Sequence, residues 1–235
     1  MEIKVNLKIF IFAVIFYFTK QIEIYALLML FAILHELGHL LAGSIMGVKV
    51  KSISIMPIGL SIGFEIDAMD YNKKIKKGNF LNIKKIIIAF AGPMVNFIIA
   101  ILFFLCPIQF FIVKSVQIIY ANLLIGLFNL LPIYPLDGGR ILKELIQINK
   151  GLKKSIIIEN IISNICVILI TAISSIIILF YHNIAIIFII IYLWYLTIIE
   201  NKKFDNKIKI YKAIDTYRQN NKEENLSVEI FSQKT

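Results

Sequence analysis

A chain of 235 residues that is 59% hydrophobic and only 17% charged is too apolar for an ordinary soluble domain. Its formal net charge of +10 would point to nucleic acid in a soluble protein, but here Lys and Arg have first to be placed relative to a membrane. The two cysteines, Cys106 and Cys166, lack CxxC spacing and fall in or beside different apolar blocks, so they read as packing or lipid-facing residues rather than metal ligands.

The apolar residues form six segments, at about 7–19, 22–46, 86–106, 108–131, 157–180 and 183–199. Blocks of this kind cross a bilayer. The expected fold is an all-α polytopic membrane protein of about six transmembrane helices, with a transmembrane domain at 1–200 and its core at 22–145. The first segment is short and has the length of a signal-peptide core. No small-x-small site follows it and the next segment begins almost at once, so it reads as a short or tilted span.

After the second segment the period changes from helical to alternating. Val48, Val50, Ile53 and Ile55, then Ile58, Leu60, Ile62, Phe64 and Ile66, give strand periodicity, with Pro57 and Gly59 as turn residues between the two runs. A small membrane-associated β-hairpin over 48–66 is expected, followed by a solvated basic loop from Asp70 to Lys85. At the other end, 201–235 reads as a short cytoplasmic tail, part helix and part disorder, with no full regulatory domain.

The basic residues divide unequally between the connections. An N-in arrangement of six spans puts Lys4, Lys8, eight Lys between 47 and 85, five basic residues between 132 and 156 and eight after 200 on one side, against Lys20 and Lys114 on the other. Loops that stay in the cytoplasm carry such an excess, so both termini are expected there, in a bacterial cell membrane. Orientation and anionic head groups account for the net charge, and no nucleic-acid partner is needed.

Within the second segment stands His35-Glu36-Leu37-Gly38-His39, the pattern HExxH in a helix-forming run. Residues four apart project from one face of an α-helix, so both imidazoles can share a zinc ion while Glu36 is placed to take a proton from water. Three ionisable side chains in a membrane span each cost several kcal/mol unless coordinated, paired or hydrated. A buried His/Glu hydrogen-bond cluster of a transporter or scaffold is the alternative. A catalytic zinc site has three protein ligands and one open position. Asp137, bracketed by Pro132, Pro135, Gly138 and Gly139 at the inner end of the fourth segment, is the candidate third ligand, because that end and the inner half of the second segment approach the same leaflet.

HELGH at 35–39, AGPMVN at 91–96 and NLLPIYPLDGG at 129–139 together resemble the site-2 protease family of intramembrane zinc metalloproteases (M50). The resemblance frames residues 22–145. It implies that His35, His39 and Asp137 bind one Zn²⁺, that Glu36 is the catalytic base, that Asn129 and Pro135 shape the active site and substrate path, and that Asn96 lies near the substrate-binding strand. A helical substrate must be unwound before cleavage, and the alternation around Leu60 and Ile62 offers a strand to hold it extended. With no PDZ-sized insertion between HELGH and PLDGG, the layout is similar to the family's sporulation branch, typified by a stage IV sporulation protein. The tail is too short for the CBS domain usual there. The implied function is hydrolysis of a membrane-associated regulatory protein, a pro-sigma factor in sporulation or alternatively a membrane-anchored anti-sigma factor, under the control of membrane inhibitor proteins. The sequence leaves a homo-oligomer open.

Overall fold

The computed structural model describes residues 2–5, 13–14, 16–18, 20, 22–56, 59–65, 76–107, 114–181 and 184–232. The helices that the described residues trace in full are α1 (Ile22–Ile45), α2 (Lys76–Leu105), α3 (Ser115–Asn129), α4 (Asp137–Lys150), α5 (Leu152–Tyr181) and α6 (Ile184–Ser232). Among the described residues, three stretches are long and apolar enough to cross a membrane, Ile22–Ile45, Asn79–Leu105 and Leu152–Ile178. The 24 residues of α1 extend about 36 Å at 1.5 Å per residue, more than the ~30 Å hydrocarbon core. The protein is thus an integral membrane protein, but the expected six spans reduce to three among the described residues.

The reasons differ for each missing span. Most of segment 7–19 lies outside the described residues. The fourth segment contains a helix of only 15 residues, about 22 Å long; residues 108–113 lie outside the description, and Leu130 to Leu136 form a turn at its far end. The sixth segment does not stop at 199, because α6, 49 residues long, runs on through the polar tail. Among the described residues that tail is helical to Ser232. No Gly or Pro occurs after Gly151, so nothing in it breaks a helix once begun.

The β structure also differs from a two-stranded hairpin. Strands β2 (Lys49–Met56) and β3 (Gly59–Glu65) pair antiparallel, with Ile53 opposite Ile62 and Ile55 opposite Leu60; Pro57, the expected turn residue, lies outside the described residues. A further strand, β1 (Glu2–Val5), pairs parallel to β2, giving the order β1-β2-β3. The four residues of β1 are too few to show a period by themselves. Among the described residues β3 is an edge strand of this sheet, and it packs against α1.

Helix packing depends on small residues, as expected where lipid and side chains are equally apolar. A β-carbon on Gly38 would stand 2.7 Å from Val95 Cγ2 and 2.9 Å from the Ala91 carbonyl oxygen, so glycine there lets α1 and α2 meet. Phe31, Ile118, Ala121 and Ile125 join α1 to α3 in one buried cluster, while Ile133, Val167 and Leu193 anchor the turn before α4 to α5 and α6. Ile165, Ile168, Leu169, Ile173 and Ile176 of α5 remain exposed, a surface suited to lipid.

Candidate metal centre

His35 and His39 lie one turn apart on α1, each 3% exposed, with ring centroids 4.8 Å apart. Asp137, in the first turn of α4, is 5% exposed. Its Oδ2 lies 2.9 Å from His35 Nε2 and 3.0 Å from His39 Nε2, and the two Nε2 atoms are 3.1 Å apart. Residues 98 and 102 positions apart in the chain therefore bring three ligand atoms to one point.

Those atoms fit a divalent ion. Tetrahedral zinc with nitrogen and oxygen ligands at 2.0–2.1 Å separates neighbouring ligand atoms by about 3.3 Å, close to each edge of the observed triangle. The Nδ1 of His39 lies 2.7 Å from the Ile88 carbonyl oxygen, a group that can only accept. Nδ1 therefore carries a hydrogen and Nε2 is directed at the cluster. Atoms of this kind converge on a cation, or on protons in its place. Arg140 Nη1 is 3.7 Å from Asp137 Oδ1.

Glycines make room for this convergence. A β-carbon on Gly92 of α2 would meet both imidazoles, at 2.6 Å from His35 Nε2 and closer still to His39. One on Gly138 would strike the Leu130 carbonyl, and one on Gly139 would lie 2.5 Å from Tyr134 N. The first turn of α4 thus rests on the backbone of the preceding turn, and side chains there would push Asp137 away.

Glu36 is half-buried beside the pair, within electrostatic reach of His39, His35, Asp137 and Arg140. Asn96 is fully buried, with Oδ1 2.6 Å from His35 Nδ1. Asn129 donates to the Ile125 carbonyl of its own helix at 3.1 Å, which makes it a residue of the helix end rather than of the cluster. Pro135 lies in the turn two positions before Asp137, after a cis peptide bond from Tyr134. Leu60 and Ile62 lie in β3, and their side chains are outside the described residues.

Sequence reading missed Gly92, the Ile88 carbonyl and Asn122, which accepts from Asn96 Nδ2 at 2.9 Å. An asparagine in an apolar helix is itself a signal, since an amide there needs a partner. Gly92 stands within the AGPMVN motif but nothing there shows which groups its missing side chain admits, and Ile88 carries no mark at all.

The model of peptidase family M50 matches residues 23–117 and 109–173. The zinc metalloprotease MJ0392 of Methanocaldococcus jannaschii is 37% identical over 138 residues, which are 56% of this chain and 37% of that protein. The putative zinc metalloprotease sll0528 of Synechocystis is 33% identical over 141 residues, 57% of this chain and 34% of its own length. For the putative zinc metalloprotease Rip3 of Mycobacterium tuberculosis the figures are 33% over 117 residues, 46% and 27%. The chain thus spans roughly a third of these curated relatives. Among solved structures, the site-2 protease from M. jannaschii superposes with a TM-score of 0.59 at 28% identity, covering 83% of this chain and 88% of that one.

Proposed function

We propose that this chain, which belongs to peptidase family M50, is an intramembrane zinc metalloprotease that hydrolyses peptide bonds in or near the membrane segment of a membrane-associated regulatory protein. The observation that carries the reading is the triangle of His35 Nε2, His39 Nε2 and Asp137 Oδ2, with edges of 2.9, 3.0 and 3.1 Å. His35, His39 and Asp137 hold the ion and Glu36 is the base.

Zinc in such a site supplies a Lewis acid that polarises a carbonyl and makes water a nucleophile at neutral pH. Glu36 takes the proton of the attacking water and afterwards hands it to the leaving amine. Arg140 steadies Asp137 as charge moves through the site. Asn129 and Pro135 set the turn that carries Asp137, and so the space a substrate enters. An unwound substrate segment is held extended by adding to the edge of β3, near Leu60 and Ile62; the contact between β3 and α1 supports this placement.

The membrane domain comprises 1–200, with a cytoplasmic tail at 201–235, and both termini face the cytoplasm; the distribution of basic residues supports this orientation. Within the class of regulatory substrates, a pro-sigma factor processed in sporulation is our first choice, on the compact interval between the two motifs, and membrane inhibitor proteins are the expected regulators.

The test is processing by the purified full chain in liposomes, with candidate pro-sigma and anti-sigma substrates offered separately. Wild type should cleave one class only, Glu36→Gln neither, and a zinc chelator should stop the wild type. Cleavage that resists the chelator would overturn the zinc mechanism, and zinc binding without cleavage of any membrane protein would leave a metal-binding transporter or scaffold as the better reading.

A further inference from the structure

Behind His35 stand two amides and one carbonyl, drawn from two helices. The Ile118 carbonyl of α3 accepts from Asn122 Nδ2 at 2.9 Å; Asn122 Oδ1 accepts from Asn96 Nδ2 of α2 at 2.9 Å; Asn96 Oδ1 lies 2.6 Å from His35 Nδ1 of α1. Both asparagines are 0% exposed, so bulk water cannot replace any link.

The direction of this chain of hydrogen bonds is forced from one end. A backbone carbonyl only accepts, so the group of Asn122 that faces Ile118 must be its nitrogen. That turns Asn122 Oδ1 toward Asn96, which must answer with its own nitrogen. Asn96 is left presenting oxygen to His35. An amide oxygen cannot donate, so the hydrogen belongs to His35 Nδ1, and in the neutral ring Nε2 keeps its lone pair. Nε2 is the atom turned toward Asp137 and His39. His39 reaches the same state directly, through the Ile88 carbonyl.

We infer that Asn122 is a positioning residue for the metal centre: through Asn96 it transmits the polarity of the Ile118 carbonyl to α1 and fixes His35 in the tautomer that can bind a cation. This role rests on the metal-centre reading and extends it to a helix that contributes no ligand. Partners of a ligating histidine's second nitrogen orient the ring and raise its basicity. Asparagine suits the task because it carries a donor and an acceptor on adjacent atoms. Leucine at 122 would leave the Asn96 amide free to turn over and present its nitrogen to Nδ1, which favours the hydrogen on Nε2. An uncharged aspartic acid at 122 would keep the pattern, its C=O toward Asn96 and its O–H toward Ile118.

The experiment uses the full chain in detergent micelles, with ¹⁵N-labelled histidine. In zinc-free wild type, long-range ¹H–¹⁵N correlations should find a hydrogen on His35 Nδ1; a bare Nδ1, with the hydrogen on Nε2 alone, overturns the proposal without any variant. Zinc affinity by chelator competition should fall about 10–100-fold in Asn122→Leu and recover to near wild type in Asn122→Asp. Wild-type affinity and tautomer in Asn122→Leu, even with a lowered Tm of the zinc-free chain, would make Asn122 a packing residue and overturn the proposal. Failure of wild type to bind zinc would instead sink the metal-centre reading itself.

Discussion

Gly92 of α2 faces His35 of α1 so closely that a β-carbon built on it would lie 2.6 Å from His35 Nε2, nearer than real side chains approach. The ligand face of the imidazole pair is therefore bounded by glycine backbone, and the first prediction concerns one methyl group. In Gly92→Ala both rings must turn, and each turn strains an anchor, Asn96 for His35 and the Ile88 carbonyl for His39. Alanine favours the helix by about 1 kcal/mol, so the fold should persist while zinc affinity falls at least about tenfold, or ~1.4 kcal/mol. Chelator competition measures this, and an unchanged affinity would show that the rings are not confined.

Separating the base from the ligands gives the second prediction. Glu36 is half-buried beside the triangle but supplies none of its three corners. Glu36→Gln should retain zinc at wild-type stoichiometry and lose cleavage by at least about a hundredfold, the scale of general-base catalysis. His35→Ala and Asp137→Ala should lose the metal as well as the activity, since two remaining ligands do not make a zinc site. Metal content and proteolysis measured on the same preparations decide it, and an active Glu36→Gln would remove Glu36 from the mechanism.

The difference between these residues also explains what could be read from sequence. His35, Glu36 and His39 were legible because a single helix fixes their relation, and a spacing of four needs no tertiary knowledge. Asp137 was legible through its setting, prolines before it and glycines after it, joined to the count of spans. Gly92 and Asn122 were not, because their roles exist only where α2 meets α1 and where α3 meets α2. The same limit affected the fold. Apolar length marked the helices, but α3 proved too short to span by itself, and β1 gained its role only by pairing with β2.

A third prediction arises at Glu159, near the cytoplasmic end of α5 under the proposed topology. It is 7% exposed, and its Oε1 has no hydrogen-bond partner among the described residues. Lys143 and Lys207 line the same pocket, but the Lys143 ammonium is placed over the Tyr134 ring at 5.6 Å. A buried polar atom left unpaired costs about 1–3 kcal/mol. Glu159→Gln removes the charge while keeping the shape, so the Tm in detergent should rise, with zinc content unchanged. A fall in Tm would mean that the carboxylate is engaged in the membrane-embedded protein and supports the packing of α5 on α6.

The sheet supplies the last prediction. β3 has β2 on one side and no strand on the other among the described residues, and it packs against the helix that carries His35 and His39. A peptide added to that free edge would lie extended, with its carbonyls released from helical hydrogen bonds. Leu60 and Ile62 have the same parity in the ladder, opposite Ile55 and Ile53, so a proline at either removes a donor from the same side of the strand, and Ser61→Pro removes one from the other. Leu60→Pro and Ile62→Pro should lose cleavage of a membrane-embedded substrate while binding zinc as wild type does. Cleavage of a short, already extended peptide should suffer less, because that substrate needs no help to unwind. Full activity of both variants on the embedded substrate would discard the edge-pairing role of β3 and leave the metal triangle intact.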